Sequence, residues 1–341
     1  MTPVEIIVVA LIKVALIILV VLTACAYSTL AERKLVSWFQ QRIGPNLAGP
    51  WGLLQPLADG VKLAFKEDIR PERAEKVFYT LSPVIAFVPA LLTFAVIPFG
   101  PAIEIGGRQV DLALSDLNVG VLFIFAITSL GVYGIILAGW SSGSKYSLLG
   151  GLRSSAQLIS YEVAYGLTIL GVILLAQTFS LKELALQQDG FWGMYVWKQP
   201  LGFLLFIICA VAETNRAPFD MAEAESELVA GYHTEYSSMR FATFFIGEYA
   251  NMIAVSSVAT TIFLGGWRAP FAFLPEYGLW GVVWFALKVG FFMFFYVWLR
   301  ATLPRFRYDQ LMNFGWKFLF PVALLNVMVT AAVVLWSSDQ L

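Results

Sequence analysis

The sequence holds one histidine, two cysteines and few charges, with Asp, Glu, Lys and Arg making up 13% of its 341 residues. A chain so poor in ligating side chains has no set of its own for zinc or an iron–sulfur cluster. Cys25 and Cys209 lie in separate apolar stretches with no CxxC spacing, which excludes a disulfide framework and assigns both to packing. Neither GxGxxG nor GxxxxGK(S/T) occurs, so nothing cradles a dinucleotide or nucleotide phosphate. The formal net charge of -1, without any basic stripe, excludes nucleic-acid binding. Any redox chemistry must be brought by a partner.

What the chain does have is apolar length. Hydrophobic residues make 59% of it and aromatics 15%, and the mean hydropathy is +0.75. These values predict an all-α polytopic membrane protein in one integral membrane domain. Stretches long enough to cross a bilayer, roughly 17 to 25 residues, occur at about 4–30, 79–99, 117–140, 155–177, 200–213, 241–264, 278–302 and 316–336, giving about eight transmembrane helices. The fifth is the shortest in apolar content and runs straight into an acidic stretch. The first is too long for a signal-peptide core, starts with Glu5 rather than a basic region and has no convincing cleavage site, so it reads as a retained span.

Orientation follows from the cations. The loops after spans one, three, five and seven hold sixteen Lys and Arg, whereas the others hold Arg108, Lys182, Lys198 and Arg268. The positive-inside rule puts the first set in the cytoplasm, or the matrix in an organelle, and both termini on the opposite side. On that outer side IEIGGRQVDLAL (103–114) alternates around Gly-Gly as a small β-hairpin does, and SLKE (180–183) is a capping box opening a short surface helix. On the inner side a long amphipathic first loop, 31–76, exceeds the length of an ordinary connection and reads as a functional or interface element.

The sparse charges are not evenly spread. Glu213, Asp220, Glu223, Glu225, Glu227 and Glu235 fall within twenty-three residues, with Arg216 as the only fixed cation among them. Pro218 redirects the chain there, and Asp220 with Glu223 has the pattern of a helix N-cap and its partner. Glu223 and Glu227, four apart on that helix, repel each other and so bind protons more readily as a coupled set. The plain alternative is that first-turn glutamates complement the helix dipole. Glu162 and Glu248 lie nine and eight residues beyond Arg153 and Arg240, which places both roughly 12 to 14 Å inside the membrane edge. An ionised carboxylate there costs on the order of 3 kcal/mol or more, so each is a functional candidate, the alternative being an interhelical hydrogen bond. Burial favours their neutral form and moves their proton affinity toward neutrality. Lys13 and Lys288 are the intramembrane cations, Lys288 being a candidate counter-charge within the bundle. Arg300, Arg305 and Arg307 read either as topology anchors or as partners packed beside Asp309, and His233 as an ordinary interface residue.

These residues closely resemble a known family, the membrane subunit of respiratory complex I, which is the proton-pumping NADH-quinone oxidoreductase of bacteria and mitochondria. The resemblance runs end to end. It is carried by AERKLVSWFQQRIGPN (31–46), GLLQPLADGVKL (52–63), WSSGSKYSLLGGLRSSAQLISYEV (140–163), AETNRAPFDMAEAESELVAGYHTEYSSMRF (212–241), GEYANM (247–252) and RATLPRFRYDQLM (300–312). It implies a subunit that docks the peripheral redox arm, forms much of the quinone-binding tunnel and couples quinone reduction to proton translocation. Glu32, Arg33, Asp59 and Lys62 match the residues near the tunnel and its outlet. Glu162, Glu213 and Glu248 match a buried acidic path toward antiporter-like subunits. Glu223, Glu225 and Glu227 match an acidic loop beside the quinone cavity, and Arg300 and Arg305 the basic residues near it. The resemblance further implies quinone as substrate, no metal in this chain, and iron–sulfur clusters and FMN confined to partner subunits. Implied partners are the quinone-site redox-arm subunits, the small membrane subunits, the antiporter-like subunits and membrane lipids, in a bacterial inner or mitochondrial inner membrane. One local departure is AEAESE, where relatives carry a proline-glycine version, which bears on loop shape.

Two rival readings stand beside this one. A membrane subunit of an energy-converting hydrogenase shares the early E-R-K and Q-R-x-G-P elements but lacks the full ESELVAGYHTEYS continuation. A stand-alone ion-coupled transporter would show paired discontinuous helices or internal repeats, and none is evident.

Overall fold

Lipid leaves a backbone no partner but itself, so apolar runs of this length fold as helices. The computed structural model describes residues 3–105, 108–221, 228–271, 273–276 and 278–338. Its helices are α1 (Pro3–Phe39), α2 (Gln55–Phe65), α3 (Lys76–Thr93), α4 (Gly120–Ser141), α5 (Lys145–Ala176), α6 (Leu181–Leu186), α7 (Gly190–Gly193), α8 (Tyr195–Lys198) and α9 (Pro200–Glu213). After the acidic stretch come α10 (Ser238–Phe263), α11 (Trp280–Thr302), α12 (Tyr308–Phe314) and α13 (Phe320–Ser338), the last two joined by a π-turn at Gly315–Leu319. Two short 3-10 turns, Pro50–Gly52 and Gly231–His233, also occur among the described residues.

Seven helices of the described residues are long and apolar enough to cross a membrane: α1, α3, α4, α5, α10, α11 and the continuous Tyr308–Ser337. The protein is therefore an all-α integral membrane protein. The remaining apolar helix, α9, has 14 residues, or about 21 Å, against a hydrocarbon core of about 30 Å. It is also among the most enclosed, with Leu205, Phe206, Cys209 and Ala212 all buried. α5 is the hub, packing on α4, α9 and α13, while α3 lies against α4 and α10, and α1 lies against α10 and α11.

Small residues bring these helices together, as expected where lipid offers no hydrophobic drive for association. A Cβ added to Gly134 of α4 would sit 2.5 Å from the Ala86 backbone nitrogen of α3, and one on Gly139 would sit 2.6 Å from the Ser147 carbonyl of α5. α5 begins at Lys145, ten residues before the apolar run at 155–177. Its early turns carry Ser147, Gly150, Ser154 and Gln157, which hydropathy scores as polar but which are buried against neighbouring helices. α1 likewise continues nine residues past its apolar run, through AERK to Phe39.

The hairpin forms between β1 (Ile103–Ile105) and β2 (Arg108–Val110), with Ile103 opposite Val110 and Ile105 opposite Arg108. Ser180 caps α6 by accepting from the Glu183 amide, although Glu183 turns its carboxylate to the Thr178 hydroxyl instead of closing the box. α6 buries one face, Leu181, Leu184 and Ala185, and exposes Glu183 and Leu186 on the other. At the other end of the bundle, the segment 40–75 is tied to the start of α10. The Ile69 amide donates to Ser237 Oγ (2.9 Å), Arg240 pairs with Asp68 (3.4 Å), and Tyr79 donates to the Glu235 carbonyl (2.7 Å) while stacking on Tyr236 at 4.2 Å.

Candidate functional site

Adjacent residues on a helix point about 100° apart, and α1 uses that angle to separate Glu32 from Arg33. Glu32 turns into the bundle and is buried. Arg33 turns out toward α2, where it pairs with Asp59 at 2.6 Å, and Lys62 and Gln55 complete the set at 3.5 and 3.2 Å. Burial opposes the charge on Asp59, but the Arg33 guanidinium outweighs it and holds the carboxyl below its ordinary range. α2 thus faces the protein with its polar side and leaves Leu57, Val61 and Phe65 exposed.

Glu32 is gripped from two helices and a loop. Arg216 Nη1 donates to both its oxygens (3.1 and 3.2 Å), the Tyr249 hydroxyl donates to Oε2 (2.7 Å), and Arg300 of α11 donates to Oε1. Arg216 reaches this position because the chain turns sharply after α9. Asn215 adopts a left-handed conformation (φ 50°), which asparagine tolerates better than most residues, and its side chain accepts from Gln157 (3.2 Å) and Ser154 (3.4 Å) of α5. The guanidinium then lies over the Tyr249 ring, 4.6 Å from its centroid, and its Nε sits 2.6 Å from Glu248 Oε1. Burial disfavours the charge on Arg216, but Glu248 and Glu32 more than compensate and raise its pKa above the ordinary value. Two carboxylates and two guanidiniums therefore form one charge-balanced cluster, with Glu32 and Arg216 buried at its centre and Arg300 reaching in from a partly exposed position.

Glu248 also faces a cavity of about 80 Å³, lined among others by Glu213, Thr128, Asn215, Tyr232 and Asn251. That is room for several waters, since one needs roughly 10–15 Å³ by this measure. Glu213, at the last residue of α9, leaves its buried Oε2 without a hydrogen-bond partner among the described residues. Glu162 of α5 lies within electrostatic reach of Glu213 and accepts from the Ser129 hydroxyl of α4. The order through the protein is Glu32, Arg216, Glu248, the cavity, Glu213 and Glu162.

The structure brings Glu32, Glu248 and Arg300 together and sets Glu213 and Glu162 beyond them. Arg33, Asp59 and Lys62 form a separate, more exposed group. Arg305 pairs with Asp220 at 2.7 Å and Arg307 with Asp309 at 3.4 Å, so Asp220 spends an oxygen on Arg305. Glu223, Glu225 and Glu227, with the helix expected to carry them, lie outside the described residues. Lys288 is no counter-charge to this cluster: its Nζ donates to the carbonyls of Leu264 (2.6 Å), Gly266 (3.0 Å) and Arg268 (2.7 Å), where α10 ends at the opposite side of the bundle. Arg216 and Tyr249 join the cluster unforeseen. Arg216 had a signal, being the lone fixed cation in the acidic stretch, whereas nothing in the pattern marks Tyr249.

Similarity to known proteins runs the length of the chain. Residues 12–331 match the model of the family described as NADH dehydrogenase. The second H-type NADH-quinone oxidoreductase subunit of Geobacter metallireducens is 54% identical over 334 residues, covering 94% of each chain. The second such H-type subunit of Koribacter versatilis is 53% identical over 342 residues, covering 96% of this chain and 97% of that one. The H-type subunit of Protochlamydia amoebophila is 52% identical over 309 residues, covering 91% and 92%.

Proposed function

The chain belongs to the NADH dehydrogenase family as a membrane subunit of NADH-quinone oxidoreductase, and from that premise we propose that it links quinone reduction to proton movement through its buried carboxylates. In this reading the chain forms much of the quinone-binding tunnel and docks the redox arm at the end of the bundle bearing α2. That end faces the cytoplasm or matrix, and both termini face the other side of a bacterial inner or mitochondrial inner membrane. The spans number eight, α9 being the short one. Partner subunits hold the FMN and iron–sulfur clusters, small membrane subunits flank the bundle, and antiporter-like subunits receive the coupling signal.

The observation that carries this reading is the unbroken line from Glu32 through Arg216 and Glu248 to the cavity at Glu213. Two-electron reduction of a quinone builds negative charge that two protons must neutralise. Charge arriving near Arg300 and Glu32 competes for the guanidiniums that hold the cluster. Because Arg216 is shared between Glu32 and Glu248, a change at the first carboxylate is felt at the second. Unit charges about 7 Å apart still interact by about 2 kcal/mol at an effective dielectric of about 20. Water in the cavity and the unpartnered Glu213 oxygen then supply groups that take up and release protons, with Glu162 and Ser129 beyond.

The test is Glu213→Gln in the assembled enzyme, reading protons translocated per quinone reduced. The expected outcome is retained electron transfer with a lowered proton yield. An unchanged yield in assembled, active enzyme removes Glu213 from the path.

A further inference from the structure

At the end of the bundle remote from α2, one helix, the 14-residue α9, falls short of its neighbours. Gln199, just before α9, donates to Thr330 Oγ1 (2.7 Å) and accepts from Asn326 (3.1 Å), both on α13. A Cβ on Gly171 of α5 would sit 3.5 Å from the same Gln199 oxygen, so these residues share one level. Beyond it α5 runs five more residues to Ala176, about 7.5 Å, and α13 runs eight beyond Thr330 to Ser338, about 12 Å. The segment 190–198 therefore lies beside the last turns of two membrane-spanning helices. That is the depth of the headgroup region, which adds roughly 5–7 Å to each side of the hydrocarbon core.

Irregular backbone is tolerated at such depth only where its polar groups are satisfied. Here the Gln188 amide group does so, donating to the Thr261 and Ile262 carbonyls and accepting from the Tyr195 amide (3.1 Å each). Lys288 does the same for the turn that follows α10.

On this floor stands a continuous patch of rings. Phe191 contacts Trp192, Trp197 and Phe271 with centroids 5.2–5.6 Å apart, and Phe271 stacks on Phe273 at 5.6 Å. Trp192 is 77% and Phe273 82% exposed, which is unfavourable for rings facing bulk water but ordinary for aromatics at headgroup level. Lys198 follows Trp197 and sets its ammonium over the Tyr195 ring, 4.9 Å from the centroid, which places a cation beside the patch at headgroup level. We propose that Phe191, Trp192, Trp197, Phe271 and Phe273 form a lipid anchor seated at the headgroup–acyl boundary of the leaflet remote from α2, covering the recess left by the short helix α9. The inference rests on the membrane-spanning fold alone and is independent of the quinone reading.

The test places a photoreactive benzoylphenylalanine at position 192 or 273, in place of one aromatic by another. The chain is expressed within its complex in native membranes, irradiated, and its adducts are weighed by mass spectrometry. The expected result is an added mass of one phospholipid at both positions, well above the background set by the same probe at Gln109 on the hairpin. Cross-linking into another polypeptide would show that a protein covers the patch, and absence of any adduct would show that it faces water. Either result overturns the proposal.

Discussion

Replacing Arg216 by Met probes the buried cluster most directly. The side chains of Arg216 and Glu32 are each 7% exposed and that of Glu248 is 18% exposed, so the charges have left most of their water behind. Breaking a pair of this kind by deleting one partner costs about 3–5 kcal/mol, chiefly because the surviving charge stays buried. Glu32 would keep Arg300 and Tyr249, which places the cost near the lower bound, about 3 kcal/mol. That is on the order of a hundredfold in a stability constant. Arg216→Met is thus expected to shorten sharply the half-life of the assembled complex in detergent at fixed temperature. The diagnostic variant is Arg216→Met with Glu248→Gln, which removes both the guanidinium and the carboxylate it held at 2.6 Å. Residues in one ion-pair network couple by about 0.5–3 kcal/mol, so the double variant should outlast the single one. Arg216→Lys should fall between wild type and Met, keeping the charge but losing the planar fork that serves two carboxylates. A double variant no longer-lived than Arg216→Met would refute the reasoning, for Glu248 would then not be what Arg216 stabilises.

Three further outcomes follow from other contacts. Because Asp59 has its pKa lowered by Arg33, its contribution to seating α2 is fully present above its ordinary value near 3.8 and is lost as pH falls through the lower folded-state value. Hydrogen exchange in α2 should stay slow from pH 7 to about 4 and quicken below. Asp59→Asn should remove that acid step at a cost of about 1 kcal/mol or less, given that Arg33 is half exposed. Lys288→Met strips the donor from three carbonyls, each costing about 1–3 kcal/mol if left unsatisfied. It should lower the yield of assembled complex while leaving quinone reduction per complex unchanged, and a loss of turnover in intact complex would restore a charge role for Lys288. Gly134→Ala sets a Cβ against the Ala86 backbone and should force α3 from α4 at about 1–3 kcal/mol, measured as reduced chain in membranes. An unaltered level would mean that the two helices separate freely.

The spans were legible because lipid imposes one rule, and apolar length reports it. Their ends were less so. α5 starts ten residues early because Ser154 and Gln157 donate to Asn215, and Gln157 also to the Ala212 carbonyl, inside the protein, where a hydropathy scale counts them as water-seeking. The short α9 was visible as the poorest apolar run, but the recess at its far end was not, since depth depends on which turn of α5 and α13 it meets. Of the site, Glu162 and Glu248 were marked by the cost of a charge at depth, whereas Glu32 was marked only by the resemblance and Glu213 by the resemblance and the acidic stretch. The contacts of Glu32 were not legible, because Arg216, Tyr249 and Arg300 meet it across sequence separations of 184, 217 and 268 residues, and no local pattern spans such distances. Lys288 misleads for the complementary reason: a cation in an apolar run invites an acidic partner, yet backbone carbonyls at a helix end serve as well.

The two halves of the line of charges differ in what they can do. Glu32, Arg216, Glu248 and Arg300 balance two against two, and Glu32 and Arg216 at the centre are buried, so a unit change on either is little damped by solvent and is answered by the other members. Glu213 is different, with one oxygen unpartnered among the described residues beside a cavity large enough for several waters. A balanced cluster transmits charge, whereas a carboxylate on water exchanges protons. On the proposed function the chain therefore places its transmitter nearest α1, where the quinone's charge would arise, and its exchanger farther along, with Glu248 common to both. A lesion at Arg216 should then weaken the response of the proton path to quinone reduction even when every cavity carboxylate is intact, while Glu213→Gln should spare the cluster and block only the exchange.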